Sequence, residues 1–293
     1  MELCLSPIVD AIPSDAADSS KALAFLHSFY AWGQVAVVLF TTLLLYFGVS
    51  WRLIVVLWTL IPATAIALFA RAPIAERATG DQAMPINKLF RTGVFILALF
   101  AIACGGASEI IIAQYASSFL EKALGMVKLT GDILGLCGFA VFLAIGRMLY
   151  GLLGDKINIH TALRWGAALL VAAYLIIVFS PAGAPSVAAI ALCGLFVSLM
   201  WPGTLAVASK GLPNAGASMF ALLAASGCLG CALGPWISGF VTDFSMQRLP
   251  SWTELGAEQF GLRVGLLVGA LFPLALFILH SALKKAVKKT VDE

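Results

Sequence analysis

Long apolar runs, repeated along almost the whole chain, are the feature that most constrains the fold. A helix needs about 20 predominantly apolar residues to cross the roughly 30 Å hydrocarbon core of a bilayer. The runs lie at about 23–48, 51–70, 93–120, 130–150, 161–180, 185–208, 215–242 and 261–283. The alternating segments of about ten residues that are typical of membrane β-barrels are not visible. The sequence therefore predicts an all-α integral membrane protein with eight complete transmembrane helices.

The composition excludes an ordinary soluble domain. Only 11% of the residues are charged and 61% are hydrophobic, whereas soluble domains carry about 25% charged residues. The net charge of +3 gives no reason to expect a nucleic-acid partner. No nucleophile arrangement, phosphate loop or metal cluster is visible, so we expect neither an enzyme nor a cofactor or metal site. Cys228 and Cys231 are spaced C-x-x-C, but within a Gly-rich apolar run we expect small packing residues.

Basic residues are distributed unevenly between the two sides of the predicted membrane. If the N-terminus is cytoplasmic, thirteen of the 18 lysines and arginines fall on its side and five on the other. Arg147 is counted among the thirteen. Short cytoplasmic loops carry the excess of positive charge in membrane proteins. The distribution therefore predicts that both termini are cytoplasmic, in a protein of the plasma membrane.

An acidic residue interrupts the third apolar run. Glu109 lies near the middle of this run, just after Gly105, Gly106 and Ser108. A carboxylate at the centre of a membrane helix costs about 2.5–3.5 kcal/mol on insertion scales, so it faces a cavity, pairs or stays protonated. Residues three and four apart share a helix face, which predicts a small polar stripe. We expect Glu109 to bind solute or a proton; a structural bond to a neighbouring helix is the alternative.

Five further side chains are candidates for a solute site. Gln114 and Tyr115 lie one to two turns beyond Glu109 and could hydrogen-bond a sugar-like solute, with an ordinary interhelical bond as the alternative for Gln114. His27 and Tyr30, near the start of the first run, could line a cavity or pack at the helix end. Trp201 could stack on a sugar ring, although interfacial or packing tryptophans are commoner.

The seventh run is rich in glycine. Gly230 and Gly234 form a G-x-x-x-G pair, which lets two helices touch backbone to backbone. Pro235 follows directly and weakens the helix locally. The segment predicts either a bending gate or plain tight helix packing.

The polar segment 71–92 is the longest link on the basic side, and it predicts a boundary between two bundles. It separates 1–70, which holds two complete runs, from 93–293, which holds six. Six helices correspond to one half of a transporter built from two six-helix halves. The residues before Pro13 look like the last turns of a further helix. We therefore expect 1–70 to be the remnant of a bundle that has lost about four helices.

A glycine-rich motif follows the fourth run and resembles a known family signature. It reads Gly146-Arg147-Met-Leu-Tyr-Gly151-Leu-Leu-Gly-Asp155-Lys156. Gly151, Asp155 and Lys156 are similar to the loop signature G-x-L-x-D-[RK]-x-G-[RK] of the major facilitator superfamily, between its eighth and ninth helices. The resemblance implies that the glycine permits close helix contact and that the acidic and basic residues form a cytoplasmic latch. It also implies that the eight runs are family helices 5 to 12.

Within that superfamily the chain resembles the fucose/hexose proton symporter branch. The stretches around Glu109 and around Ser198-Leu-Met-Trp201-Pro202 are similar to its seventh and tenth helices. Glu2 stands five residues before Pro7, as a glutamate does on the branch's fourth helix, which implies that Glu2 binds a proton or solute.

The resemblance implies a sugar and protons as partners, moved through a lipid bilayer by alternating access, and leaves the oligomeric state open. The alternatives are a facilitator of another solute, such as an organic anion or drug, and a fragment that does not transport. Arg147, near the cytoplasmic end of its run, is the cation closest to the membrane interior. An anionic solute is therefore disfavoured by the sequence.

Overall fold

The computed structural model of this chain describes residues 5, 6, 9, 16–71, 84–181, 183–251 and 253–292. Glu2 and Pro7 lie outside the described residues, as does the part of the predicted linker between 72 and 83. Eight helices in the described part of the chain are long and apolar enough to cross a membrane. They are α1 (Ser20–Tyr46), α2 (Trp51–Phe69), α3 (Gly93–Ala123), α4 (Lys128–Lys156), α5 (Ile159–Phe179), α6 (Gly183–Gly211), α7 (Gly216–Met246) and α8 (Ala257–Lys288). The predicted all-α class and the number of spans are confirmed.

A glycine reverses the chain between α1 and α2. Gly48 has φ +78°, a conformation that costs glycine little. The Gly48 N–H donates to the Leu45 carbonyl and the Val49 N–H to the Leu44 carbonyl, which closes the last turn of α1. The chain enters α2 at Trp51. α1 and α2 therefore form an antiparallel hairpin.

Prolines explain why three of the spans are interrupted by turn residues. α2 divides at Thr59, α6 at residues 198–199 and α8 at Ala270. Pro62, Pro202 and Pro273 each follow the break by three or four residues. Proline has no N–H for the carbonyl four residues earlier, and its ring presses against that carbonyl. In α6 the carbonyl that loses its helical donor is that of Ser198.

α3 is the central helix of the described structure. In an apolar stretch of 18 residues within α3, 61% of the residues are buried inside the protein, whereas in the corresponding stretch of α2 the share is 6%. α3 contacts α6, α7 and α8, while α1 lies along α4 and also reaches α6. α2 buries a single residue, Ile54, in its first segment and none in its second. α2 therefore packs little against the other described helices.

The contact between α3 and α7 depends on the two glycines of the G-x-x-x-G pair. A Cβ on Gly230 would meet the carbonyl carbon of Ala103 at 2.6 Å, and one on Gly234 would meet the Ala107 Cβ at 2.6 Å. Both glycines are buried. α7 runs as a single α-helix from Gly216 to Met246, through Pro235. The glycines therefore hold the backbones of α3 and α7 together.

Candidate functional site

A cavity of about 570 Å³ lies where α1, α3, α4, α6 and α7 meet. Its volume is in the range of ligand sites, about 300–1,000 Å³. Most of its lining is apolar or small, and two of its side chains carry a full charge. The lining residues are His27, Tyr30, Gly106, Glu109, Ile110, Arg147, Trp201, Ala224, Ala225, Cys228 and Cys231.

The two charged side chains of the cavity form an ion pair. Arg147 Nη2 donates to Glu109 Oε2 at 2.8 Å, and the side chains of Arg147 and Glu109 are 2% and 8% exposed. Pairing is one of the ways in which a membrane carboxylate can be accommodated. Because both charges are withdrawn from water, each depends on the other for compensation.

Arg147 also connects α4 with two other helices. Its Nε donates to the Ser198 carbonyl on α6 at 3.0 Å, and its Nη1 donates to the His27 carbonyl on α1 at 3.3 Å. The Ser198 carbonyl is available because Pro202 cannot donate to it. The guanidinium carbon lies 5.5 Å from the centre of the Tyr30 ring. The geometry therefore fixes the guanidinium from several sides.

The position of Arg147 corrects its interpretation from the sequence. The motif placed this residue with the cytoplasmic loop, whereas the structure places its guanidinium in the cavity. The reason is that the helical span continues to Lys156. Nine residues separate Arg147 from that end, which is about 13 Å along a helix. Without Arg147 the basic residues number twelve against five, so the predicted orientation does not change.

The structure brings together some of the predicted site residues and separates others. His27, Tyr30 and Trp201 line the cavity with Glu109, and His27 Nε2 lies 3.4 Å from Ser6 Oγ. Gln114 and Tyr115 are not among the lining residues. Gln114 is exposed, and the Tyr115 hydroxyl lies 3.2 Å from Thr242 Oγ1 on α7.

The predicted polar stripe on α3 does not form a single face of the cavity. Gly106 lines the cavity, but Gly105 contacts Met200. The Ser108 hydroxyl donates to the Cys104 carbonyl at 2.7 Å, and the Ser108 carbonyl accepts from the Tyr174 hydroxyl at 2.8 Å. Ser108 is therefore engaged in the packing of α3 and α5.

Sequence reasoning missed the contribution of α7. Ala224, Ala225, Cys228 and Cys231 line the same cavity as Glu109. These small residues recur every three to four positions, so they share one helix face. That spacing is the signal that could have identified them.

The family-like motif lies at the end of α4, against α1. A Cβ on Gly151 would come within 3.1 Å of the Phe25 Cβ, so this glycine lets α1 approach closely. Asp155 accepts a 2.7 Å hydrogen bond from the Lys21 ammonium group of α1. Lys156 is exposed. A Cβ on Gly146, deeper in α4, would lie 2.7 Å from the Ser198 Cβ of α6.

Comparison with known proteins identifies one matching family model and several similar structures. The model described as Major Facilitator Superfamily matches residues 4–235. No curated protein sequence matches the chain significantly. Two solved structures are similar to this chain. One is FucP, an MFS transporter in the outward conformation, and the other is the E. coli fucose:proton symporter FucP. The first is 17% identical with a TM-score of 0.72, covering 96% of this chain and 72% of that chain.

The second FucP structure is 18% identical with a TM-score of 0.71, covering 96% of this chain and 73% of the other. A bacterial homologue of the human lysosomal transporter Spinster, inward-facing and occupied, is 16% identical with a TM-score of 0.63. That match covers 92% of this chain and 68% of the other. At these identities the likeness concerns the fold alone, and it agrees with the predicted helical bundle.

Proposed function

This chain belongs to the Major Facilitator Superfamily, and from this premise we propose that it acts as a secondary transporter that couples movement of a small solute to protons. Alternating access of two bundles around a central site is the general mechanism of such proteins. The proposal places 1–70 in one bundle, 93–293 in the other, and both termini in the cytoplasm at the plasma membrane.

The observation that carries proton coupling is the buried pair of Glu109 and Arg147. Glu109 lines a cavity and bonds to a single cation at 2.8 Å. Adding a proton to this carboxylate removes its charge and breaks the ion pair. Because Arg147 also bonds to the His27 carbonyl on α1, the ion pair lies at a contact between the two proposed bundles.

A hydroxylated solute of the sugar type is the cargo that we propose. Support comes from the two similar FucP structures, one of which is described as a fucose:proton symporter. The lining offers aromatic rings at Tyr30 and Trp201 beside the polar groups of Glu109, Arg147 and His27. Aromatic faces with a few convergent polar groups are typical of small-molecule sites.

Uptake of labelled hexoses into proteoliposomes tests the proposal. With the chain reconstituted, we expect an inward proton gradient to drive accumulation above the level reached without a gradient. Absence of uptake under both conditions would contradict a hexose as the solute. Uptake that does not respond to the gradient would contradict proton coupling and favour a facilitator.

Replacing Glu109 by glutamine is expected to abolish the response to the gradient. Uptake with and without the proton gradient should become equal, because glutamine cannot take up a proton in this range. Uptake is normalised to folded protein. The matched control is Glu258→Gln, which removes an exposed carboxylate paired with Lys122 at 2.6 Å and should keep the response. A full response in Glu109→Gln would count against the coupling role.

We propose that the Lys21 and Asp155 pair acts as a latch between the bundles at the cytoplasmic end. The two side chains are 21% and 58% exposed, so such a pair contributes at most about 1 kcal/mol. Asp155→Asn should therefore raise access to the cavity from the cytoplasm by up to about fivefold. The measurement is alkylation of Cys228 by an impermeant maleimide, with the other cysteines replaced by serine.

Glu258→Gln again provides the control for the latch, because it breaks an exposed ion pair between α3 and α8. Labelling of Cys228 should not rise in this variant. Equal labelling of Cys228 in the Asp155→Asn variant and in the protein that keeps Asp155 would show that the Lys21–Asp155 pair does not restrain access to the cavity.

A further inference from the structure

The charge balance of the cavity restricts what the solute can be. Of the described residues that line the cavity, Glu109 and Arg147 carry opposite full charges, which compensate each other in the ion pair. When Glu109 takes up a proton at Oε2, the ion pair breaks and Arg147 keeps its charge, since guanidinium is always protonated in proteins. Among the described lining residues, the positive charge of Arg147 is then left without a counterion.

An uncompensated guanidinium is unfavourable at this site. The Arg147 side chain is 2% exposed, and the two carbonyl groups that it contacts bring no negative charge. Removing one partner of a buried ion pair is costly because the other charge stays behind without compensation. A neutral sugar would leave that charge uncompensated, whereas a carboxylate on the solute would replace the one that Glu109 has lost.

We propose that the solute is a hydroxylated carboxylate, such as a sugar acid, and that its carboxylate binds Arg147 when Glu109 is protonated. This inference rests on the proposed function and names the solute class of the same site. One proton and one monovalent anion enter together, so the net charge of the cavity does not change. Because Arg147 lies in the cavity and not outside it, an anionic solute is no longer disfavoured.

The fixed orientation of Arg147 supports this exchange of partners. The carbonyl groups of Ser198 and His27 hold Nε and Nη1, so Nη2 stays directed toward the cavity when Glu109 releases it. Arginine presents its donors in a planar fork that matches a carboxylate. The rings of Tyr30 and Trp201 border the same space, where the sugar body would lie.

In this proposal Glu109 is the acceptor of the coupled proton. Arg147 faces it from α4, His27 and Tyr30 from α1, and Cys228 and Cys231 from α7. α6 contributes the neutral Trp201. Glu109 is the carboxylate among the described residues of this lining, so its protonation is the step that leaves Arg147 unpaired.

Electrogenicity tests the inference in proteoliposomes that contain the full chain. Uptake of labelled galacturonate and galactose is measured with an inward proton gradient, at zero potential and at an interior-negative potential set by potassium and valinomycin. A proton and a monovalent anion that move together transfer no net charge, whereas a proton and a neutral sugar transfer one positive charge. We expect galacturonate uptake to exceed galactose uptake by about 10- to 100-fold and not to respond to the potential.

Galactose uptake that accelerates with the potential, without galacturonate uptake, would overturn the inference and leave the proposed function standing. Uptake of neither probe, with the fold intact by circular dichroism, would overturn both.

Two variants separate binding from folding. Arg147→Lys keeps the charge beside Glu109 but loses the planar fork, so the KM for galacturonate should rise about tenfold. The double variant Glu109→Gln/Arg147→Gln removes both charges and should lose galacturonate uptake. Galacturonate uptake at the original rate in the double variant would overturn the inference.

Discussion

Arg147→Gln alone is expected to destabilise the folded chain by about 3–5 kcal/mol, and the double variant Glu109→Gln/Arg147→Gln should recover most of that loss. The single change leaves the Glu109 carboxylate buried beside a cavity without its cation. It also removes hydrogen bonds from Arg147 to the Ser198 and His27 carbonyl groups. The double change leaves two neutral amides that can bond to each other. Unfolding in detergent, titrated with SDS and followed by circular dichroism, measures the free-energy differences.

Arg52→Gln is the control for loss of an arginine. Arg52 is exposed and lies over the Trp51 ring, so its replacement should change stability by less than about 0.5 kcal/mol. If the double variant is as unstable as the sum of the two single variants, the pair is not energetically coupled. That result would contradict the role of the ion pair in the cavity.

Gly230→Ala is expected to be the most disruptive single methyl addition in α7. The new Cβ would meet backbone atoms of Ala103, which cannot rotate away as a flexible side chain can. Overpacking of a tight contact costs about 1–3 kcal/mol. Because α3 carries Glu109 and α7 carries Cys228 and Cys231, separation of these helices should also disturb the cavity. Stability in SDS and uptake activity should both decrease.

Gly239→Ala provides a control in the same helix. A Cβ at this position would meet only the Tyr115 hydroxyl, at an ordinary 3.8 Å. Alanine is favoured over glycine within a helix by up to about 1 kcal/mol, so this variant should be as stable as the original or more so. A loss of stability equal to that of Gly230→Ala would show that close approach of α3 and α7 is not the cause.

Much of the candidate site could be predicted from the sequence because its signals are local. Glu109 was identified because a carboxylate within an apolar run is costly wherever the helix packs. His27, Tyr30 and Trp201 were identified as candidates, and all three line the cavity. Gln114 and Tyr115 were assigned by proximity along the chain to Glu109. Their side chains point elsewhere because successive residues of a helix turn away from any one face.

The sequence by itself determined the eight helices, because a membrane helix satisfies its backbone hydrogen bonds within its own segment and is specified by the length of its apolar run. It also determined that an acid, Glu109, lies within an apolar run. Only the tertiary structure decided that Arg147, 38 residues from Glu109 along the chain, is its partner. That pairing depends on how α1, α3, α4 and α6 pack around one cavity, and no local pattern of residues specifies such a geometry.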